Sequence, residues 1–268
     1  MNIFAQRKRE PYISTKKQKM QEKTQDEWFS TWFDSPYYHI LYGHRDESDA
    51  QHFINQLTAL PWFNSGSKVA DICCGKGRHS HYLHSKGFEV VGYDLSPASI
   101  QHCLETAKRG MTFRVHDMRT PYPDMSFDVV LNLFTSFGYF GTDKDNQNAI
   151  TNMAAALKPS GRLVIDFLNP EWVTKQLVPH ESIIKGGIQF EIARSINDGR
   201  LIKEIMFDAH GQQYRFEENV ELISLEMFSK YLSQAGMSIE QVYGNYDLHP
   251  YNAEESTRMI IIAKHSQA

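Results

Sequence analysis

The chain has 268 residues, of which 41% are hydrophobic and 22% charged, and this composition excludes a disordered chain and is typical of a globular protein. The net charge is −4 at pH 7, although residues 1–25 hold seven basic side chains against two acidic ones. The remaining chain is therefore distinctly acidic, which disfavours a nucleic-acid surface because neutralising phosphates needs clustered Lys and Arg. We expect residues 1–25 to form a basic, flexible tail.

The cysteine count and the lack of apolar segments bear on location. Cys73, Cys74 and Cys103 make an odd, low number, and the first residues lack an apolar stretch of signal-peptide length. Adjacent cysteines without a CxxC partner or a clustered Cys/His set disfavour a metal site. No apolar run approaches the ~20 residues that a membrane helix needs. We expect a cytoplasmic protein without a metal and without membrane association.

The predicted elements follow one pattern up to residue 167. Residues 28–60 are rich in aromatics at helical spacings, with a break predicted at Ser35-Pro36. Short apolar runs then alternate with amphipathic stretches, which indicates βαβ units and a doubly wound, mostly parallel α/β sheet. The predicted strands are Lys68–Ile72, Phe88–Tyr93, Met111–His116, Phe127–Leu133 and Arg162–Phe167. The predicted helices are Arg78–Lys86, Pro97–Gly110 and Lys144–Leu157.

The pattern changes after residue 169. A strong hairpin signal, Asn-Asp-Gly at 197–199, lies among three predicted antiparallel strands, which are Ile188–Arg194, Leu201–Phe207 and Tyr214–Ile223. A helix, Leu225–Ala235, and two strands, Ser238–Tyr243 and Arg258–Lys264, complete the prediction. We expect one domain from 26–169 and 224–268 with an N-terminal helical cap. Residues 170–223 are then a small antiparallel β insertion that acts as a substrate lid.

A glycine-containing loop follows the first predicted strand and leads directly into a helix. The strand and loop read Val-Ala-Asp-Ile-Cys-Cys-Gly-Lys-Gly from Val69 to Gly77. In a doubly wound sheet such a loop lies at the carboxyl edge, where ligands bind. Gly75 and Gly77 allow close approach of the backbone, and the helix that begins at Arg78 offers free N–H groups to an anion. The sequence therefore predicts a ligand site here.

Two further acids end the next two strands. Asp94 ends the second strand, where a carboxylate can accept hydrogen bonds from two ribose hydroxyls, and Asp117 next to Met118 ends the third. These features alone do not choose a nucleotide. Asp71 lies inside the first strand, where NAD sites usually have an apolar residue, and an acid there can hold the ammonium group of an amino acid. The pattern thus favours S-adenosylmethionine over NAD.

Five segments resemble, in order and at family spacing, the motifs of the class I S-adenosylmethionine-dependent methyltransferases. These are VADICCGKG, VVGYDLS, HDM, SFDVVLNLFTSFGYF and LKPSGRLVIDF. The resemblance implies a Rossmann-like, seven-stranded, mostly parallel sheet with an antiparallel last strand. It also implies methyl transfer from S-adenosylmethionine, with S-adenosylhomocysteine as product. One departure is Cys73, which stands where the first motif glycine is expected.

The same resemblance assigns cofactor contacts by position. It implies that the methionine part is held by Asp71, Cys73, Gly75 and Gly77, with backbone contacts from Asn132 and Leu133. The ribose is assigned to Asp94 and Leu95, and the adenine to Asp117 and Met118.

Candidate substrate-binding residues flank this predicted site. They are Tyr38, Tyr42 and Arg45 in the N-terminal helices and Phe137 and Tyr139 after the fourth strand, with His249 and Arg258 as further candidates. The acceptor class predicted is a small molecule, and no residue is assigned as a catalytic base. Two alternative functions stay open, an NAD(P)-dependent oxidoreductase and a cofactor-binding regulator without catalysis.

Overall fold

A computed structural model describes residues 28–43 and 47–266. The helices are α1 (Trp28–Trp32), α2 (Pro36–Tyr42), α3 (Glu47–Thr58), α4 (Arg78–Ser85), α5 (Pro97–Thr106), α6 (Asp143–Ala156), α7 (Pro170–Lys175) and α8 (Leu225–Gln234). The strands are β1 (Lys68–Ile72), β2 (Glu89–Asp94), β3 (Met111–Val115), β4 (Phe127–Asn132), β5 (Leu157–Leu168), β6 (His180–Lys185), β7 (Ile188–Asn197), β8 (Arg200–Ala209), β9 (Gln212–Glu221), β10 (Met237–Tyr243) and β11 (Arg258–His265).

Seven strands form the main sheet in the order β10-β11-β5-β4-β1-β2-β3. Strands β1 to β5 pair in parallel, whereas β11 pairs antiparallel with β5 and with β10. The predicted Rossmann-like sheet with an antiparallel last strand is therefore confirmed. The strand order reverses at β1 and β4, and a crevice for a ligand opens at such a point.

The sheet is buried on both faces because helices cover each side. In β1 the side chains of Ala70 and Ile72 lie in a cluster with α6 and α8, while Val69 points to the opposite cluster with α3 and α4. This alternation follows from the two-residue period of a strand. Because both faces are covered, β1 and β4 are buried along almost their whole length and most of their residues are apolar.

The segment after residue 169 forms a second sheet, of order β6-β7-β8-β9, in which all pairs are antiparallel. Its apolar face packs against the N-terminal helices, with Phe190 and Ile205 buried beside Trp32 and Leu41. The Glu221 N–H donates to the carbonyl of Gly138 at 2.8 Å, which joins β9 to the loop after β4. The second sheet and α1 and α2 thus lie beside the carboxyl edge of the main sheet.

Several predicted boundaries were wrong. β5 begins at Leu157 rather than Arg162, with a register shift against β4, so the predicted turn at 159–161 is an irregular part of the strand. α5 ends at Thr106, four residues before Gly110, and β6 was not predicted. The predicted tail at 1–25 lies outside the described residues. Among the described helices, none has both the length and the hydropathy needed to cross a bilayer.

Candidate active site

The loop between β1 and α4 contains three residues in the left-handed conformation. Cys73, Gly75 and Gly77 have φ values of 60°, 55° and 79°. A Cβ added to Gly75 would meet nothing within 4 Å, so this glycine leaves its side of the loop open. A Cβ on Gly77 would instead lie 3.0 Å from the Cys103 Sγ. Gly75 therefore serves the cavity, whereas Gly77 serves the packing of α4 on α5.

Asp94 closes this loop against the end of β2. Its Oδ2 accepts from the Gly75 N–H at 2.8 Å, and its Oδ1 accepts from the Ser96 N–H at 2.8 Å. Burial raises the pKa of Asp94 above its usual range, and these backbone donors oppose that rise. Each oxygen keeps a further acceptor position, because a carboxylate can accept about four hydrogen bonds. The geometry suits two neighbouring hydroxyl donors.

Asp71 lies beneath the loop and is 1% exposed. Its Oδ2 accepts from the Ser80 hydroxyl at 2.6 Å. Burial raises the pKa of Asp71 to about 6, which the Ser80 hydrogen bond only partly offsets. The charge of Arg78 also favours the ionised form, but burial outweighs it, so an ammonium group brought by a ligand would stabilise this carboxylate.

Asp117 and Met118 follow β3 at the other end of the edge. Arg119 donates to both carboxylate oxygens of Asp117, at distances between 2.6 and 3.0 Å. Burial alone would raise the pKa of Asp117, but the hydrogen bonds and charge of Arg119 outweigh it and leave this pKa below its usual value. Asp117 is therefore an ionised acceptor, and Met118 offers an apolar surface beside it.

A cavity of about 650 Å³ joins these groups to the second sheet. Most of its lining residues come from three regions. The carboxyl edge of the main sheet contributes Asp71, Cys73, Gly75, Asp94, Leu95, Asp117, Met118, Leu133, Thr135 and Tyr139. The N-terminal helices α1 and α2, with Phe33 just after α1, contribute Trp28, Phe33, Tyr38 and Tyr42. The second sheet and β11 contribute Arg194, Leu201, Lys203, Glu218, Val220 and Arg258. The cavity volume lies within the range of small-molecule sites.

The wall opposite the glycine loop carries a polar cluster on Glu218. The Glu218 Oε1 accepts from the Trp32 Nε1–H at 2.7 Å and from the Tyr42 hydroxyl at 2.6 Å. Lys203 lies 3.7 Å from Glu218 Oε2 and also contacts the Tyr42 hydroxyl. The cluster links α1 and α2 to β8 and β9. The sequence analysis did not identify Glu218 and Lys203, because they are two of many charged residues that alternate with apolar residues along these strands.

Four predicted site residues lie elsewhere or outside the description. Phe137 does not line the cavity, because it is fully buried in the core with its ring 5.5 Å from Phe228, so this prediction was wrong. Asn132 is also fully buried, and its Nδ2 donates to the Ser136 carbonyl at 3.0 Å. Gly77 faces Cys103 as described above, and Arg45 lies outside the described residues. The substrate contact of Phe137 is excluded, whereas the contacts predicted for Asn132, Gly77 and Arg45 stay predictions.

Known proteins that are similar to this chain are methyltransferases. A family model described as "Methyltransferase domain" matches residues 69–161. The chain is 25% identical over 190 residues to the dTDP-3-amino-3,4,6-trideoxy-alpha-D-glucopyranose N,N-dimethyltransferase of Streptomyces venezuelae, covering 66% of this chain and 78% of that protein. It is 32% identical over 109 residues to the demethylmenaquinone methyltransferase of Tropheryma whipplei, covering 40% of this chain and 44% of that protein.

The fold is also similar to that of a solved structure. An S-adenosylmethionine-dependent methyltransferase from Clostridium acetobutylicum superposes with a TM-score of 0.73 at 16% identity. The superposition covers 86% of this chain and 96% of that one, so it includes more than the segment of the family model.

Proposed function

Because this chain belongs to the class I S-adenosylmethionine-dependent methyltransferases, we propose that it methylates a small-molecule acceptor held in the 650 Å³ cavity. The observation that best supports this proposal is that one cavity has Asp71, Asp94 and Asp117 along one side and the second sheet along the other. Two relatives are named for small acceptors, an amino sugar nucleotide and demethylmenaquinone. A cavity walled on both sides suits such a molecule better than a folded macromolecule.

The residues at the β2 and β3 ends fit the nucleoside part of the cofactor. We assign the ribose hydroxyls to Asp94, whose carboxylate is fixed by two backbone donors. We assign apolar contacts with the nucleoside to Leu95 and Met118, and a hydrogen bond from the adenine amino group to Asp117. Hydrogen bonds to a charged acceptor contribute on the order of 1.5–3 kcal/mol each.

The residues around β1 and α4 fit the amino acid part. The buried Asp71 carboxylate can receive an ammonium group, while Gly75 leaves open space in the loop. His79 lines the same part of the cavity, and its buried Nε2 has no hydrogen-bond partner among the described residues. Burial and the nearby Arg78 lower the pKa of His79 to about 3, so the ring is neutral. An unpaired buried nitrogen of this kind favours a polar ligand.

When bound, S-adenosylmethionine supplies a methyl group already activated by its sulfonium. The protein's contribution is to orient the acceptor and to exclude water. We assign the exclusion of water to Trp28, Phe33 and Tyr38, whose rings pack 5.0–5.4 Å from their neighbours above the cavity. The Tyr139 hydroxyl donates to the Thr135 carbonyl, so its proton is occupied. A neutral amine acceptor would need no general base.

Calorimetric titration with S-adenosylhomocysteine tests the cofactor, with NAD and NADP as parallel ligands. We expect micromolar binding of S-adenosylhomocysteine alone. Binding of NAD or NADP, or of none of the three, would refute the cofactor assignment. Incubation with S-adenosylmethionine and a panel of small amines, phenols and carboxylates then tests the acceptor class, since each methylated product gains one CH₂ in mass.

A further inference from the structure

The sheet topology places Arg258 at the end of the cavity that is far from Asp94 and Asp117. β11 runs antiparallel to β5, with Arg258 opposite Leu168, so β11 begins at the edge where the parallel strands end. Three strand spacings separate β11 from β1, roughly 14 Å at about 4.8 Å per strand. Arg258 lines the cavity and is therefore on the side away from Asp94 and Asp117.

The guanidinium of Arg258 is held on one side by a buried carboxylate. Its Nε donates to Asp166 Oδ1 at 2.7 Å, and Asp166 is fully buried. Its Nη2 donates to the Thr135 hydroxyl at 2.9 Å. The other oxygen of Asp166 accepts from the Phe134 N–H at 2.8 Å and from the Tyr246 hydroxyl at 3.2 Å. The side chain of Arg258 therefore has one well-defined orientation.

The loop that carries Thr135 is itself constrained by Asp166. Phe134 and Thr135 have φ values of 58° and 59°, which non-glycine residues rarely adopt. The Thr135 N–H donates to the Asp166 carbonyl at 2.9 Å, so both main-chain and side-chain oxygens of Asp166 hold the two residues. Left-handed conformations of non-glycine residues cost free energy and persist only where the surrounding structure enforces them. Such residues cluster at functional sites.

The ion pair presents only its positive member to the cavity. Asp166 is fully buried and does not line the cavity, whereas the Arg258 side chain is 19% exposed and does. The Nη1 nitrogen of Arg258 has no hydrogen-bond partner within the described part of the chain. A guanidinium with a free edge matches the planar oxygens of a carboxylate or the oxygens of a phosphate.

From this geometry we infer that Arg258 binds an anionic oxygen group, carboxylate or phosphate, on the methyl acceptor. The inference rests on the proposed function and narrows its substrate class to acceptors that carry such a group. Arg258 is then a residue that determines specificity, and Asp166 and Thr135 are positioning residues that act through it.

The test uses three ring-matched probes, 4-fluorobenzoate, 4-fluorophenyl phosphate and 4-fluorobenzamide, titrated by ¹⁹F NMR into protein saturated with S-adenosylhomocysteine. We expect at least one anion to bind fivefold or more tightly than the neutral amide. The stronger anion distinguishes a carboxylate site from a phosphate site. Equal affinity for the amide, or no binding by any probe, would overturn the inference.

Two variants assign any preference to Arg258. Arg258→Lys keeps the charge but loses the planar fork, and the double variant Arg258→Gln/Asp166→Asn removes both charges so that no unpaired carboxylate is buried. Both should lose the anion preference. The matched control is Arg215→Gln, an exposed arginine of β9 whose side chain is 65% exposed. A preference that survives in the double variant would also overturn the inference.

The same samples separate the two proposals. Binding of S-adenosylhomocysteine by each variant reports an intact fold and an intact cofactor site. Failure of the unsubstituted protein to bind it would refute the proposed function and with it this inference. Normal binding of S-adenosylhomocysteine without any preference for the anionic probes would refute only the role of Arg258 and leave the proposed function intact.

Discussion

The two ends of the cavity are assembled in different ways. The end with Asp71, Asp94 and Asp117 comes from 47 consecutive residues, at the ends of three neighbouring strands. The opposite end joins groups far apart in the chain, such as Trp32 and Glu218, which are 186 positions apart. Local spacing fixes the first end, and only tertiary packing fixes the second. A fold can therefore keep one ligand while the other varies.

The two ends also differ in how their charges are satisfied. Asp71 and Asp94 have raised pKa values because the effect of burial outweighs that of their hydrogen bonds and, at Asp71, that of the Arg78 charge. At the opposite end, Glu218 faces Lys203, and Asp166 faces Arg258. At the end with Asp71 and Asp94, burial thus carries a cost that a cationic or hydrogen-bonding ligand could reduce, whereas Glu218 and Asp166 each have a basic partner within the protein. Substitutions at the first end should mainly change ligand binding, and those at the second should mainly change stability or acceptor choice.

The largest expected effect is the loss of cofactor affinity in Asp94→Ala. The variant removes the carboxylate that we propose as the acceptor for the two ribose hydroxyls, so the affinity for S-adenosylhomocysteine should fall at least tenfold. Calorimetry on the folded variant measures it. Asp208→Ala, on the exposed side of β8, is the matched control. An unchanged affinity in Asp94→Ala would remove Asp94 from the ribose site.

Asp71→Asn should weaken ligand binding and stabilise the free protein at neutral pH. Asp71 has a pKa of about 6 in the folded state, above the ordinary value of 3.8, so the folded state binds its proton more tightly. The stabilising contribution of that proton is complete below about pH 4 and is lost as the pH rises through 6. Asparagine avoids this loss. The variant should gain on the order of 2–3 kcal/mol above pH 6.

Urea unfolding of both proteins at pH 4 and pH 7.5 measures this effect. The difference in the free energy of unfolding should be small at pH 4 and large at pH 7.5. A pH-independent difference would mean that Asp71 does not titrate in this range. A gain in stability together with weaker S-adenosylhomocysteine binding is the expected sign of a residue kept for its ligand.

Glu218→Ala should have the opposite profile. The variant leaves the Trp32 Nε1–H and the Tyr42 hydroxyl without their acceptor and Lys203 without its counter-ion. The free energy of unfolding should fall by about 1–3 kcal/mol. The affinity for S-adenosylhomocysteine should stay within about twofold, because the cluster is at the other end of the cavity.

The control for this variant is Glu217→Ala, whose side chain lies on the other face of β9. It should change the free energy of unfolding by less than about 0.5 kcal/mol. A large loss of cofactor affinity in Glu218→Ala would show that the two ends of the cavity do not act independently.

For physical reasons, the sequence predicted the cavity-lining residues near Asp71 and Asp94 better than those near Glu218. Asp94 and the N-cap Ser96 are adjacent to a strand end, so their positions follow from local structure. Phe137 was wrongly assigned because Phe134 and Thr135 take left-handed conformations that change the direction of the chain before it. β6 was missed because it is an exposed edge strand without buried alternation.

Long-range pairing explains the remaining misses. Glu218 and Lys203 lie in strands whose charges alternate with apolar residues, as in any half-exposed sheet. Only the packing of β8 and β9 against α1 and α2 brings Glu218 and Lys203 into contact with Trp32 and Tyr42. Arg258 was recognised as a substrate candidate, but the clamp by Asp166, 92 residues away, is visible only in the folded protein.

The smallest expected effect is at Cys73, the position where the family motif has glycine. Cys73 has a φ of 60°, at which a Cβ costs about 1 kcal/mol. Cys73→Gly removes this cost but also the partly buried thiol, whereas Cys73→Ala removes only the thiol. The glycine variant should therefore be about 1 kcal/mol more stable than the alanine variant, as measured by urea unfolding. Equal stabilities would mean that the loop relaxes to a conformation that accepts a Cβ, and the cysteine at this position would then carry no conformational cost.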